Sequence, residues 1–170
     1  RIYIVTKEKI FLFDFNLKLI DAFESKNPLG LISLCYKEDI VAYPDKKIEG
    51  NIRIKNYDKK MNYFFCAHKT PLSCIQLNQE GNLIATSSLK GTIVRIYNII
   101  NDILVKEVRR GTEGSFINHI AFDPTQKYFV VSSDRKTIHL FFMNNNASVN
   151  NNENNLKMSR IISEEEEKKN

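Results

Sequence analysis

The 170-residue chain reads as an all-β protein built from a repeated four-stranded unit. Three observations carry that reading. Short runs of β-branched and aromatic residues recur from Ile2 to Phe142, with charged, Asn or Gly breaks between them. A displacement of 45 residues lays one stretch of the chain over another. No stretch of helical periodicity intervenes before Asn144.

Taken in order, residues 2 to 23 hold three short strands: one from Ile2, one over Lys9 to Phe15 and one over Leu17 to Phe23. Leu29 to Leu34, Asp39 to Tyr43, Asn51 to Asn56 and Asn62 to Ala67 make four more, with Pro44 and Gly50 bounding a turn. The next two units repeat. The 45-residue displacement brings Ile75 onto Ile120, Leu77 onto Phe122, Ser88 onto Ser133, Thr92 onto Thr137, Ile93 onto Ile138 and Tyr97 onto Phe142. The turn residues 78 to 82 fall on 123 to 127, and a looser copy places Ile40 to Tyr43 under Leu83 to Thr86. This period is that of WD-type propeller repeats, whose unit is one four-stranded blade. Residues 1 to 143 are therefore a partial β-propeller of about three to four blades. Closed propellers need roughly four to eight, so open sheet edges are expected unless further chain or a partner covers them. The chain opens on Arg1 and not Met, which suggests a fragment or a processed chain.

From Asn144 the composition turns Asn-rich, then ends in Glu164 to Glu167 and lysines. Residues 144 to 170 read as a disordered loop within the last blade. The formal net charge of +5 favours an anionic partner, whether nucleic acid, a membrane surface or a phosphorylated ligand. Cys35, Cys66 and Cys74 form no CxxC pair and read as reduced core thiols of a cytosolic protein. No apolar run reaches about 18 residues, so any membrane contact is expected to be peripheral. Nucleotide-loop, HExxH, nucleophile-elbow and zinc-spacing signatures are all missing, and no enzymatic role or cofactor is expected. Nucleic-acid binding has the charge in its favour but lacks aromatics interleaved with the basic residues.

A binding constellation is better supported. Val108-Arg109-Arg110-Gly111-Thr112 places two arginines at a strand end, where side chains alternate and a glycine lets the chain turn away. The pair is thus aimed into two neighbouring grooves, and each guanidinium offers a donor fork suited to phosphate. Polar sets flank the pair: Ser87, Ser88, Lys90, Thr92 and Arg95 on one side, Ser132, Ser133, Arg135, Lys136, Thr137 and His139 on the other. Hydroxyls and cations beside one turn match a phosphorylated ligand, although Ser and Thr also populate turns generally.

The stretches Ala67-His68-Lys69, 83 to 95, 108 to 112 and 132 to 141 together resemble the PROPPIN family of phosphoinositide-binding propellers, the WIPI-like proteins of autophagy. The resemblance implies a seven-bladed propeller with two rim pockets for phosphatidylinositol 3-phosphate and phosphatidylinositol 3,5-bisphosphate. It implies one pocket of Arg109, His68, Ser88, Thr92 and Arg95, and another of Arg110, Ser132, Ser133, Thr137 and His139. Autophagy-machinery proteins are the implied partners. The implied place is the cytoplasm, peripheral on autophagosomal, endosomal or vacuolar membranes. Val108 and Lys136 depart from the family pattern, which has an aromatic or leucine and a glycine there. The membrane-dipping loop of such proteins falls on the segment after Met143, where Leu156, Met158, Ile161 and Ile162 are the insertion candidates. A basic residue near an anionic surface contributes about 1 kcal/mol, so stable docking requires several such signals acting together. The alternative reading is a protein-binding propeller scaffold without lipid binding.

Overall fold

The computed structural model describes residues 1 to 143; the reading of 144 to 170 as a loop of the last blade lies outside the described residues. Among the described residues, fourteen strands form four antiparallel sheets in chain order. The first holds β1 (Ile2–Val5), β2 (Lys9–Phe13) and β3 (Leu19–Glu24), and the second holds β4 (Ser33–Cys35), β5 (Ile40–Pro44), β6 (Asn51–Asn56) and β7 (Met61–Cys66). The third holds β8 (Leu72–Leu77), β9 (Leu83–Ser88), β10 (Ile93–Asn98) and β11 (Ile103–Arg109), and the last β12 (Ile117–Phe122), β13 (Tyr128–Ser133) and β14 (Thr137–Phe142). Each sheet is a meander, and consecutive sheets stack face to face as blades do, leaving an arc of a β-propeller.

The alternation of each strand supplies both faces of a blade. On β9, Ile84 packs toward the β4–β7 sheet with Ile52, Ile54 and Leu77. Its neighbours Leu83 and Ala85 pack the other way, with Val94, Ile96, Ile117 and Phe129. A smaller core of Ile10, Val41 and Tyr43 joins the first two sheets.

Strand boundaries shift in places. Leu29 to Leu34 does not form one strand: a turn occupies residues 28 to 30 around Gly30, which has φ +68°, and pairing begins at Ser33. The segment from Leu17 starts pairing only at Leu19, because Leu17 turns with φ 60° while Asp14 caps the turn by accepting the N–H groups of Asn16 and Lys18. Of the three thiols, Cys35 and Cys74 are core residues, but Cys66 is exposed. It lies on the outer strand β7, where no further strand covers it.

The 45-residue repeat holds through β9 and β13, then slips by one in the next strand. Ser87 pairs with Val94, yet Ser132, its counterpart, pairs with Ile138 and not with His139. The β9–β10 turn carries one residue more than the β13–β14 turn. As a result His139 lies opposite Val131, just as Arg95 lies opposite Thr86.

Candidate functional site

Arg109 ends β11 opposite Ile93, on the face that Arg95 and Glu107 share. That face looks toward the β4–β7 sheet. Val108 packs on the other side with Ile117 and Val131, and Arg110 follows it in the opposite direction from Arg109. The two arginines therefore serve two different grooves, one on either side of the β8–β11 blade.

In the first groove, Arg95 donates through Nε to Glu107 at 2.8 Å and through Nη1 to the carbonyl of Ala67 at 2.9 Å. His68 follows Ala67 and is only 5% exposed. Its Nε2 lies 3.0 Å from Thr86 Oγ1, and that hydroxyl donates to the Arg95 carbonyl, so His68 carries its proton on Nε2. Burial, reinforced by the Arg95 charge, pushes the imidazole down to about 4, so it is neutral. His68 thus supports the groove wall instead of presenting a cation. The cation is Arg109, which is exposed and makes only a long bond of 3.4 Å to the Gly111 carbonyl. Among the described residues it forms no ion pair. Ser88 turns to the same face as Thr86, and Thr92 lies in the β9–β10 turn. Both hydroxyls lack a hydrogen-bond partner among the described residues and remain available to a phosphate oxygen.

The second groove is more closed. Arg110 is 7% exposed and donates to the Gly91 carbonyl at 3.0 Å and to the Glu113 carbonyl at 2.6 Å. Burial and then the charge of Arg135 lower its affinity for a proton, while Asp134 and Glu113 act the other way. Glu113 pairs with Arg135 at 2.6 Å, and Ser115 donates to Asp134. Ser133 and Thr137 hydroxyls lie 3.0 Å apart, with His139 Nε2 at 3.2 Å from Thr137. These three residues lie on the face of Val131 and Phe141 that turns toward Arg110.

Ser132 is not brought to this groove. It pairs with Ile138 on the opposite face of the blade, and its hydroxyl reaches the His119 carbonyl at 3.5 Å. Adjacent serines on a strand cannot both face one groove, as the adjacent arginines do not. Conversely, Thr86, Glu107, Ser115 and Asp134 enter the two grooves without having been singled out from sequence. Thr86 was findable, being two residues before Ser88 on one strand. Glu107 was findable by the same rule, being two residues before Arg109 on β11, whereas Ser115 comes from the loop between blades and Asp134 from the β13–β14 turn, where strand alternation marks neither.

Four stacked antiparallel meanders, with an arginine groove on either side of the β8–β11 blade, define a chain of the β-propeller class. The family model described as PROPPIN matches residues 1–161, and the chain belongs to that family. It is 32% identical over 144 residues to autophagy-related protein 18e of Arabidopsis thaliana, covering 82% of this chain and 38% of that protein. It is 33% identical over 145 residues to autophagy-related protein 18 of Dictyostelium discoideum, covering 83% and 39% respectively. The chain thus spans well under half the length of these relatives. Among solved structures, Hsv2p of Kluyveromyces lactis superimposes with a TM-score of 0.70 at 24% identity, over 86% of this chain and 50% of that one. A complex of KlAtg21 with the coiled-coil of AgAtg16 gives a TM-score of 0.71 at 26% identity, over 82% and 49%.

Proposed function

We propose that this protein is a peripheral membrane protein binding phosphatidylinositol 3-phosphate and phosphatidylinositol 3,5-bisphosphate, and that it acts as an effector in autophagy or membrane trafficking. One observation carries the reading: adjacent arginines at the end of β11 face two grooves, each lined by a residue on the third strand of a blade, Arg95 or His139, and by hydroxyls at the turn. The first groove offers an unpaired guanidinium and two free hydroxyls, a donor set suited to a phosphomonoester. Binding, not catalysis, is the chemistry such a set performs. Its expected place is the cytoplasmic face of autophagosomal, endosomal or vacuolar membranes, with the segment after Met143 as the second membrane contact.

Sedimentation with vesicles carrying each phosphoinositide tests this. Replacing Arg109 and Arg110 together by Thr is expected to abolish binding while the β-rich circular dichroism persists. Undiminished sedimentation of the double variant would sink the assignment. The similar chain of KlAtg21, solved in complex with the coiled-coil of AgAtg16, supports a protein of the autophagy machinery as a further partner.

A further inference from the structure

The step Arg109-Arg110-Gly111-Thr112 ends in a hydroxyl that the groove chemistry leaves unused. Thr112 is exposed in the loop that leads from β11 to β12, and no hydrogen bond engages its hydroxyl among the described residues. The space beside it is open, since a Cβ added to Gly111 meets nothing within 4 Å. The loop is anchored at its ends, where Arg110 N donates to the Thr92 carbonyl and Ser115 N to the Lys90 carbonyl. Between them, among the described residues, no backbone pairing ties residues 111 to 114.

Arginines stand at both ends of this short segment. Arg109 Nε donates at 3.4 Å to the Gly111 carbonyl, and Arg135 Nη2 donates at 3.3 Å to the Gly114 carbonyl. The carboxylates of the loop and of the neighbouring turn are already engaged, Glu113 by Arg135 at 2.6 Å and Asp134 by the Ser115 hydroxyl. Arg109 has no carboxylate partner among the described residues. Bond lengths alone put its Nε within about 7.5 Å of Thr112 Cα, a gap that the terminal guanidinium nitrogens and a phosphorylated side chain span between them.

Arg109 also stands three residues before Thr112, and kinases that prefer basic substrates read an arginine at that place through carboxylates in their own groove. Arg110, one residue nearer, is buried in the other groove and offers such an enzyme nothing. We propose that Thr112 is a phosphorylation site for a kinase of this class, and that its phosphate takes the Arg109 guanidinium and so competes with a membrane headgroup for the first groove. The step is a phosphoryl transfer from ATP. The Thr112 Oγ1–P bond forms as the bond from the γ-phosphorus to the β–γ bridging oxygen breaks; ADP leaves, and the hydroxyl proton passes to the kinase's aspartate base. A phosphothreonine carries close to two negative charges and three acceptor oxygens, so opposite a free arginine it forms charge-assisted hydrogen bonds. The modification stands on Thr112 and its loop alone, whereas its effect at a membrane rests on the headgroup reading of the first groove.

The full 170-residue chain is incubated with ATP and a calcium/calmodulin-dependent protein kinase, an enzyme whose substrates carry arginine at that place, and the modified residue is mapped by peptide mass spectrometry. Ser163 is the other serine or threonine with an arginine three residues before it, so every sample carries Ser163→Ala. One phosphate is expected, on Thr112, and none in Thr112→Val. A folded chain that stays unmodified while the free peptide 106–116 accepts phosphate would overturn the site. With phosphothreonine encoded at position 112, phosphorus NMR should show the phosphate titrating about one pH unit lower than in the same protein carrying Arg109→Gln, because a nearby cation favours the dianion. Equal titration in the two proteins would overturn the pairing. Sedimentation with vesicles carrying phosphatidylinositol 3-phosphate should weaken about 10-fold or more on phosphorylation; undiminished sedimentation would overturn the competition. If the unmodified chain itself does not sediment, the headgroup reading fails, and the titration of the phosphate still judges this one.

Discussion

The two arginines differ in what they do for the folded chain. Arg110 satisfies two carbonyls in a nearly buried position, whereas Arg109 is exposed and holds one long bond. Arg110→Ala should therefore lower stability by about 1–3 kcal/mol, and Arg109→Ala by less than about 0.5 kcal/mol, in urea unfolding. Titration with a soluble headgroup should give the opposite order: Arg109→Ala removes a free phosphate donor, while the guanidinium of Arg110 is already engaged. Glu113→Gln should strengthen binding, most visibly at low salt, since a carboxylate near a phosphate repels it and salt screens that repulsion. Equal affinity losses for the two arginine variants, with no gain from Glu113→Gln, would show the grooves to be equivalent. His68 supplies a pH signature. Its depressed value means that protonation favours the unfolded chain. The stability it contributes is complete above about pH 6.5 and is lost as pH falls toward 4, by roughly 3 kcal/mol in all. Unfolding midpoints measured between pH 7 and 4 should fall less steeply in His68→Gln than in the parent.

At the scale of the element, one device recurs at the blade turns. Gly50, at φ +79°, leaves no room for a side chain, since an added Cβ would stand 1.9 Å from the His68 carbonyl oxygen. Gly91, at φ +60°, meets the Ser115 carbonyl oxygen at 1.6 Å in the same way. These glycines let the turn of one blade lock onto the loop that enters the next, and so fix the loops that carry His68 and Ser115 beside the grooves. The third turn has Lys136 at φ 55° where the repeat places glycine. A lysine there holds a left-handed conformation that L residues adopt at a cost of about 1–2 kcal/mol. Lys136→Gly should raise stability by about 0.5 kcal/mol after the added freedom of the unfolded chain is counted. Gly91→Ala should lower it by at least about 2 kcal/mol, through both the clash and the φ angle. Thermal melts of the pair decide the matter: a neutral Gly91→Ala would mean that the turn does not lock onto the loop.

At the scale of the whole molecule, the arc of sheets leaves its end faces uncovered among the described residues. Ile138 is 48% exposed on the outward face of the last sheet, and Ile4 is 49% exposed on the first. β14 also has no partner beyond it in the sheet order. Unpaired edges and apolar faces recruit one another, so residues 1–143 alone should self-associate at micromolar concentrations. Size-exclusion chromatography combined with a thermal melt checks this. A monomer with a single sharp transition would mean that four sheets close their own edges well enough.

Much of the architecture follows from local rules. Alternation of β-branched and aromatic residues marks the strands, the 45-residue period marks the blades, and the RRG step at a strand end sends Arg109 and Arg110 to opposite sides, because side chains on a strand must alternate. The same rule excludes Ser132 from the groove of Ser133. It could have been applied to the sequence, yet the choice between the two serines needed to know which face meets the neighbouring blade. Tertiary structure decided the rest. The single-residue difference between two turns moves His139 into the place of Arg95, and only strand pairing reveals it, since a count along the chain cannot see where a turn absorbs a residue. Burial turned His68 from a headgroup-ligand candidate into a neutral support, and it engaged Arg110 with carbonyls that lie 19 and 3 residues away. Desolvation and hydrogen bonding depend on what surrounds a side chain in three dimensions, and the order of residues sets those surroundings only through the packing of one blade on the next.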